Sequence, residues 1–563
     1  MPSLLKNMIR LRGKIASLAL DGAASEPVHA QREVLRKILS RNADTAFGRV
    51  HGFASISSEA DYRHRVPVNE YENLRPYVKR IIAGEKAVLT KSAPFMLTMT
   101  SGTTGEPKYI PVTRESQEHN SGLMRQWLYR ALRDHPEFLD QASVGIVSRA
   151  IEGYTPSGIP YGSASGLIYK NIPWLIRRAY AVPYLVSELH DYDQRYFVSA
   201  RFALAARVSF IATPNPSTLI RLAALCIEHQ ERLIRAIHDG TPGIDTPDQR
   251  EVYAGLAARL KPDPPRARSL AQVVERRGFL RLADCWPDLK LIGCWTGGSV
   301  IAHARKLPAH FGGVALRDLG YLASEGRITV PYQDQTPSGI LALRSGYYEF
   351  IPEDEADSAQ PSILSSHELE EGSRYSILLT TTGGLYRYQI NDIVEVTGFY
   401  RRAPLLAFVR KGGEMANITG EKMHVNHLIQ AMDEVRRRFN LNIEQYRAIP
   451  DFAGSRYEIY LELERAAPLE MLRDEVLPEL DRALARANVE YDQKRQSKRL
   501  NAPCLHLMAQ GWADAALRRH VAAGKRDTQY KWRILCSEQS PENLKAIVST
   551  IEIGNSLPSI AGG

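Results

Sequence analysis

The sequence predicts an α/β protein, in which a large N-terminal domain of packed sheets and helices is followed by a small, mobile α+β C-terminal domain. Three observations carry this reading. The chain has 563 residues, too many for one ordinary core. From residue 289, "LKLIGCW", "SVIAHARKLPAHFG" and "VALRDLGYLASEG" read as strand, helix and strand with glycines at the strand ends. Units of this kind hold ligands at their strand C-termini. Composition then changes at "FVRKGGEMANITGEK" (408–422), where Gly412 and Gly413 follow Arg410 and Lys411 and suit a hinge. The expected division is 1–410 and 411–563, and the α+β unit beyond the 408–422 stretch, about 140 residues, is a normal domain size.

The elements follow in order. The N-terminus, "MPSLLKNMIRLRGKIASLAL", is interrupted by Lys6, Arg10, Arg12 and Lys14. It therefore reads as an amphipathic helix without the continuous apolar core of a signal peptide. Residues 28–90 look helical, with breaks at Pro67 and Pro76, and helical spacing returns over 115–132. "ASVGIV" (142–147) reads as a buried strand, and the Gly, Pro and Tyr-rich 150–190 as binding loops. Residues 193–239 are mostly helical around "TPNPS", and "KPDPPRAR" (261–268) reads as a surface connection. "YSILLTTTGGLYRYQINDIVEVTGF" (375–399) reads as two β segments, with Asp392 ending a loop before "IVEVTGF". Beyond the hinge come a helix near 424–439, the strand "RYEIYLELE", another helix and a strand near 529–536. No internal repeat is visible.

Composition narrows the function classes. Apolar residues make up 44% and charged ones 24%, as in a globular protein rather than a disordered one. The net charge of +9 suits anionic ligands such as nucleotides. The basic residues are scattered, and the densest group, "KRQSKR" (494–499), reads as a solvated helix face, so no nucleic-acid partner is expected. The five cysteines, Cys226, Cys285, Cys294, Cys504 and Cys536, form no C-x-x-C pair and no zinc spacing. Reduced, buried thiols in a cytoplasmic protein are expected. No apolar run approaches the roughly 18–20 residues of a membrane helix, so no membrane partner is expected.

Four stretches carry chemistry. In "LTMTSGTTGEPKYIPVT" (97–113), Ser101, Thr103 and Thr104 stand beside Gly102 and Gly105, with Lys108 three residues on. Glycines let the backbone turn with its N–H groups exposed, while hydroxyls and a lysine add donors for phosphate. The spacing is not that of a Walker A loop, and a plain polar turn fits it too. In "YLASE", Tyr321 offers a ring for a base and Glu325 a hard oxygen ligand for magnesium; an edge strand with a solvated Glu is the alternative. Asp392 could accept from ribose hydroxyls, or be a turn aspartate. In "QYKWRIL", Lys531 by itself reads as a solvated lysine.

In order and together, these stretches resemble the adenylate-forming superfamily. "GLYRYQINDIVEVTGF" and "YEFIP" (348–352) are most similar to its acyl acid–amido synthetases, the Gretchen Hagen family, which joins amino acids to auxin, jasmonate and benzoates. The resemblance implies a large adenylation domain and a small domain that rotates. It implies ATP and Mg²⁺ as cofactors, with a carboxylic acid and an amine, an amino acid, as substrates. Ser101, Gly102, Thr103, Thr104, Gly105 and Lys108 would meet the ATP phosphates. Gly297 and Gly298 would lie along the adenosine, Tyr321 against adenine, Glu325 on the metal and Asp392 on the ribose. Arg410 and Lys422 would meet the nucleotide or second substrate, and Lys531 the reacting carboxylate and phosphate. Two departures stand out. Gln389 and Asn391 replace the Arg and Gly of a "Y-R-x-G-D" run, and Trp532 stands where a small residue or Pro is common. Asn tolerates a left-handed backbone, so that turn can survive. The other readings are an acyl-CoA ligase sharing the adenylation step and a non-catalytic nucleotide-binding protein.

Overall fold

The computed structural model describes residues 3–100, 107–170, 172, 174–245, 247–356, 358, 360–412, 415–522 and 532–553. Two compact units are present, one containing Lys108–Gly412 together with the residues up to Thr100, the other the residues after Gly412.

The first unit has a mixed α/β architecture. Its parallel sheet takes the strands Ala142–Gly145, Val208–Ala212, Leu291–Gly293 and Ala315–Arg317 in that order. Helices Tyr192–Ala205, Pro216–Glu228 and Pro264–Arg277 bury these short apolar runs in one core. Val208–Ala212 lies inside the stretch expected to be helical. A strand covered on both sides lacks the alternation that identifies an exposed one. "KPDPPRAR" is likewise a helix start rather than a connection. Asp263 Oδ1 accepts from the Arg266 N–H at 3.0 Å, and Pro264 sits in the first turn, where no N–H is needed. Pro76 does not break its helix, Tyr71–Ile82, whose buried Tyr71, Leu74, Val78 and Ile81 hold it to the core. Residues 150–190 include the helices Ala164–Lys170 and Trp174–Arg177 as well as loops.

An antiparallel seven-stranded sheet adjoins these elements. Its order is Thr329–Pro331, Gly339–Leu341, Ala403–Lys411, Tyr388–Tyr400, Arg374–Thr381, Gly346–Pro352 and Leu364–Ser365. A third sheet pairs Met96–Thr100 with Lys108–Val112 and, in parallel, with Pro160–Gly162.

The second unit is an α+β body. Strands Ile443–Asp451, Arg456–Leu463, Cys504–Met508 and Ile547–Glu552 form its sheet, and helices Val425–Arg438 and Leu477–Ala487 share its main core. Residues 532–536 contribute a single bridge, Leu535 to Ala448, rather than the expected strand. "KRQSKR" is not simply solvated: Ser497 is buried, and burial of the Lys494 ammonium lowers its pKa to about 7. Four cysteines are buried, Cys536 is half-buried, and all five are free. No helix among the described residues is long and apolar enough to cross a membrane.

Candidate active site

Asp392 lies inside the strand Tyr388–Tyr400, not in a loop, directly opposite Lys411 of Ala403–Lys411. A register shift follows at Ile393/Val394. Asn391 has φ +58°, a left-handed conformation that costs most L-residues roughly 1–2 kcal/mol and Asn less. The departure from Gly at this position thus keeps the local turn. The carboxylate is 2% exposed. Its Oδ2 accepts from the Tyr321 hydroxyl at 2.5 Å, and its Oδ1 pairs with the Lys411 ammonium. Burial, then the Asp392 charge, raises the Tyr321 phenol well above its ordinary pKa, so it stays a donor.

The Gly297–Gly298 turn follows the strand Leu291–Gly293. Gly298 has φ +59°, and a Cβ there would stand 2.6 Å from the Phe408 ring; one on Gly297 would stand 2.4 Å from Pro337. Only glycine fits so close an approach. Phe408 also packs on Tyr321, with ring centroids 5.8 Å apart. The turn, Tyr321, Asp392 and Lys411 therefore gather along one strand, Ala403–Lys411. Asp318 secures the turn from below. Its Oδ2 accepts from the N–H and hydroxyl of Thr296 at 2.7 and 3.0 Å, and its Oδ1 from the Gly320 N–H at 2.7 Å. Burial pushes the Asp318 carboxyl up to about 6, against those hydrogen bonds. Neither Asp318 nor Lys411 was among the sequence-predicted site residues. The aspartate closing the strand Ala315–Arg317, just before "LGYLASE", was the available signal.

His303 follows the turn in the short helix Ile301–Ala304 and is 3% exposed. Burial, then Lys306, holds its imidazole down at about 4. The unfolded chain takes up a proton near pH 6.5 that the fold refuses until about pH 4. The neutral imidazole's contribution is therefore full above pH 6.5 and lost as pH falls to 4, about 3 kcal/mol in all. The urea midpoint of His303→Gln is expected to fall less than that of the wild type between pH 6.5 and 4.5. Parallel pH profiles would overturn this.

Glu325 sits at the tip of the hairpin Leu322–Ala323/Gly326–Arg327. Its Oε2 is enclosed with no hydrogen-bond partner among the described residues, and its charge adds to burial in raising the phenols of Tyr321 and Tyr388. An orphaned carboxylate oxygen of this kind fits a hard divalent cation. Lys108 is the strand partner of Thr100, and its ammonium lies over the Tyr71 ring at 5.4 Å. Arg410 does not join the cluster; it is exposed and pairs with Glu353 at 2.6 Å. Lys422 belongs to the second unit, where its N–H donates to Glu490 and its carbonyl accepts from Asn488. Ser101, Gly102, Thr103, Thr104, Gly105 and Lys531 lie outside the described residues. Trp532 donates to the Tyr446 carbonyl at 2.8 Å and meets Trp512 edge to face, with Arg447 over both rings.

A separate cavity of about 550 Å³ opens against the helix Arg114–Asp134, lined by its His119, Leu123 and Gln126. Glu26, Glu33, Glu115 and Glu118 also line it, and the cluster around Asp392 does not.

With this geometry in place, comparison with known proteins is decisive at the family level. Family models match in chain order: the GH3 family N-terminal domain over residues 19–316, the central domain over 339–411 and the C-terminal domain over 426–540. The chain belongs to the GH3 family. The resemblance read from the four motifs is borne out at that level, as is the α/β fold class. Among GH3 relatives, an indole-3-acetic acid-amido synthetase of Arabidopsis thaliana is 24% identical over 491 residues, covering 83% of this chain and 81% of that protein. A jasmonoyl–L-amino acid synthetase of Nicotiana attenuata is 23% identical over 524 residues, covering 89% and 90%. The solved structure of an acyl acid amido synthetase shares the fold, with a TM-score of 0.64 and 22% identity, over 97% of this chain and 98% of that one. The Gly297–Gly298 turn lies in the N-terminal match and Asp392 and Lys411 in the central one, with Tyr321 between the two.

Proposed function

We propose that this GH3 chain is an ATP-dependent acyl acid-amido synthetase. A carboxylate attacks the α-phosphate of ATP, giving an acyl adenylate and pyrophosphate; an amine, an amino acid in this reading, then attacks the activated carbonyl, forming an amide and releasing AMP. The observation that carries the reading is the convergence of Tyr321, Asp392 and the Gly297–Gly298 turn on the strand Ala403–Lys411. Membership in a family whose named relatives are amido synthetases of indole-3-acetic acid and jasmonate supports it.

In this reading Gly297 and Gly298 let the adenosine lie against backbone, and Asp392 takes the ribose hydroxyls by exchanging a contact with Tyr321 or Lys411. Ser101, Thr103, Thr104 and Lys108 face the phosphates. Glu325 would hold a divalent cation, magnesium in this proposal, which when bound neutralises phosphate charge. In this proposal the adenylation domain runs through Lys411 rather than ending at residue 410, and the mobile domain follows it. The pairing of Lys411 with Asp392 anchors that residue, so the pivot falls on Gly412 and Gly413. Lys531 acts on the reacting carboxylate in the first step and leaves with the small domain for the second. The free thiols support a cytoplasmic setting.

The direct test is carboxylate-dependent pyrophosphate release over a panel of acids and amino acids, with products identified by mass. Amides support the reading. Thioesters formed with coenzyme A favour a ligase of that type, and no AMP with any pair favours a non-catalytic nucleotide binder. Lys531→Ala should lose pyrophosphate exchange yet bind ATP; full exchange would remove it from the mechanism. Glu325→Gln should raise the magnesium concentration needed for half-maximal exchange by tenfold or more. An unchanged requirement would exclude it as a ligand.

A further inference from the structure

We propose that Glu458, Cys504 and His506 form a binding site for a divalent transition-metal ion of the zinc type, in the sheet of the second unit and sharing no residue with the proposed nucleotide site. Strand Arg456–Leu463 runs parallel to Cys504–Met508, with Glu458 opposite Cys504 and Tyr460 opposite His506. The two-residue period of a strand puts Cys504 and His506 on one face, beside Glu458. The alternate residues, Tyr457, Ile459, Leu461 and Leu505, point into the core under the helices.

One donor atom from each of the three residues lies within 4.8 Å of the other two. His506 Nε2 stands 2.5 Å from Glu458 Oε2 and 3.9 Å from Cys504 Sγ. A tetrahedral zinc with bonds of about 2.0–2.3 Å separates its ligand atoms by about 3.3–3.7 Å. Parting the first pair by about 1 Å and closing the second slightly is within side-chain rotation, and the backbone need not move.

The ligands are also aimed. His506 Nδ1 is engaged by the Thr550 hydroxyl at 2.9 Å, which leaves Nε2 for the ion. Glu458 Oε1 accepts from Arg456 Nε at 2.7 Å, which leaves Oε2. Tyr460 stacks on the imidazole at 4.7 Å and holds its plane. Outer partners of this kind fix the orientation of metal ligands. Cys504 is fully buried, while the side chains of His506 and Glu458 are 11% and 12% exposed, giving an ion an entrance on their side. A sulfur, nitrogen and oxygen set selects zinc or cobalt over hard magnesium or calcium, and three ligands leave a tetrahedral position for water or a further donor. An ion there would tie the two parallel strands together and, through Thr550, the final strand Ile547–Glu552.

Cobalt(II) tests the site on the full chain after chelator treatment. One equivalent should bind, with a thiolate-to-cobalt charge-transfer band and the visible bands of tetrahedral cobalt, and zinc should displace it. Cys504→Ser should lose the charge-transfer band and weaken binding at least tenfold with an unchanged far-ultraviolet circular dichroism spectrum. Cys536→Ser should behave as the wild type. Should Cys504→Ser fail to fold, Thr550→Val keeps all three ligands and should weaken cobalt about tenfold. No charge-transfer band in the wild type, a band that survives Cys504→Ser or is lost with Cys536→Ser, or undiminished binding in Thr550→Val would each overturn the proposal.

Discussion

Asp392→Ala is expected to lose both nucleotide-dependent pyrophosphate exchange and a large part of the fold's stability. The carboxylate is the counter-charge of Lys411, whose side chain is 8% exposed, and the acceptor of the Tyr321 hydroxyl. Removing one partner of a buried pair strands the other charge, which costs about 3–5 kcal/mol. Urea unfolding should therefore show a much lower midpoint. The two effects separate in a double variant. Asp392→Ala with Lys411→Met leaves no buried charge, so stability should largely return, whereas exchange should stay at least a hundredfold down because the ribose acceptor is gone. Exchange recovering with stability would make Asp392 a structural partner of Lys411 and nothing more.

Arg387→Met should cost a similar amount of stability without removing any residue proposed to hold the nucleotide. Arg387 is 4% exposed and adopts φ +45°. Its guanidinium donates to Glu349 Oε2 at 2.9 Å and to the carbonyls of Arg63 and Val66 at 3.0 and 2.7 Å. Glu349, 1% exposed, has Arg63 Nε on its other oxygen at 3.0 Å. The variant leaves that carboxylate half-paired and two carbonyls unsatisfied, an expected loss of about 3–5 kcal/mol. Arg387→Lys should rescue little, because an ammonium cannot present the planar fork that spans a carboxylate and two carbonyls. Glu349→Gln in the Arg387→Met background should recover part of the loss. An unchanged urea midpoint in Arg387→Met would show that the network contributes nothing net.

The fold was most legible where local chemistry and tertiary need agree. Amphipathic helices such as Arg114–Asp134 and Val425–Arg438 announce themselves by period, because each has one buried face, and the strand Tyr388–Tyr400 after "TTGG" alternates over part of its length. Val208–Ala212 did not, since burial on both sides erases the period. Pro76 and Pro264 misled in opposite ways. One lies within a helix held by its apolar face, and the other starts a helix where its missing N–H costs nothing. In the candidate site, glycines with open space requirements were readable: Gly297 and Gly298 sit where a Cβ would collide, and Asn391 takes the left-handed backbone expected of it. Arg410 was the more conspicuous cation in sequence, yet it points to Glu353 on the surface, while its neighbour Lys411 reaches Asp392. Successive strand residues face opposite sides, so a register shift of one residue decides which of two adjacent cations enters a site.

What the sequence by itself determined is the class and the family: the stretches at 97–113, 321–325, 384–399 and 408–422 each have a bland reading alone, and their order along the chain carries the resemblance. Tertiary structure decided the partnerships. Asp392 meets Lys411 across a strand pair, Asp318 holds Thr296 from the neighbouring parallel strand, and Glu458 meets Cys504 and His506 from some forty-odd residues away. Such pairings are set by register and burial, which depend on which strands become neighbours, and no local period encodes that.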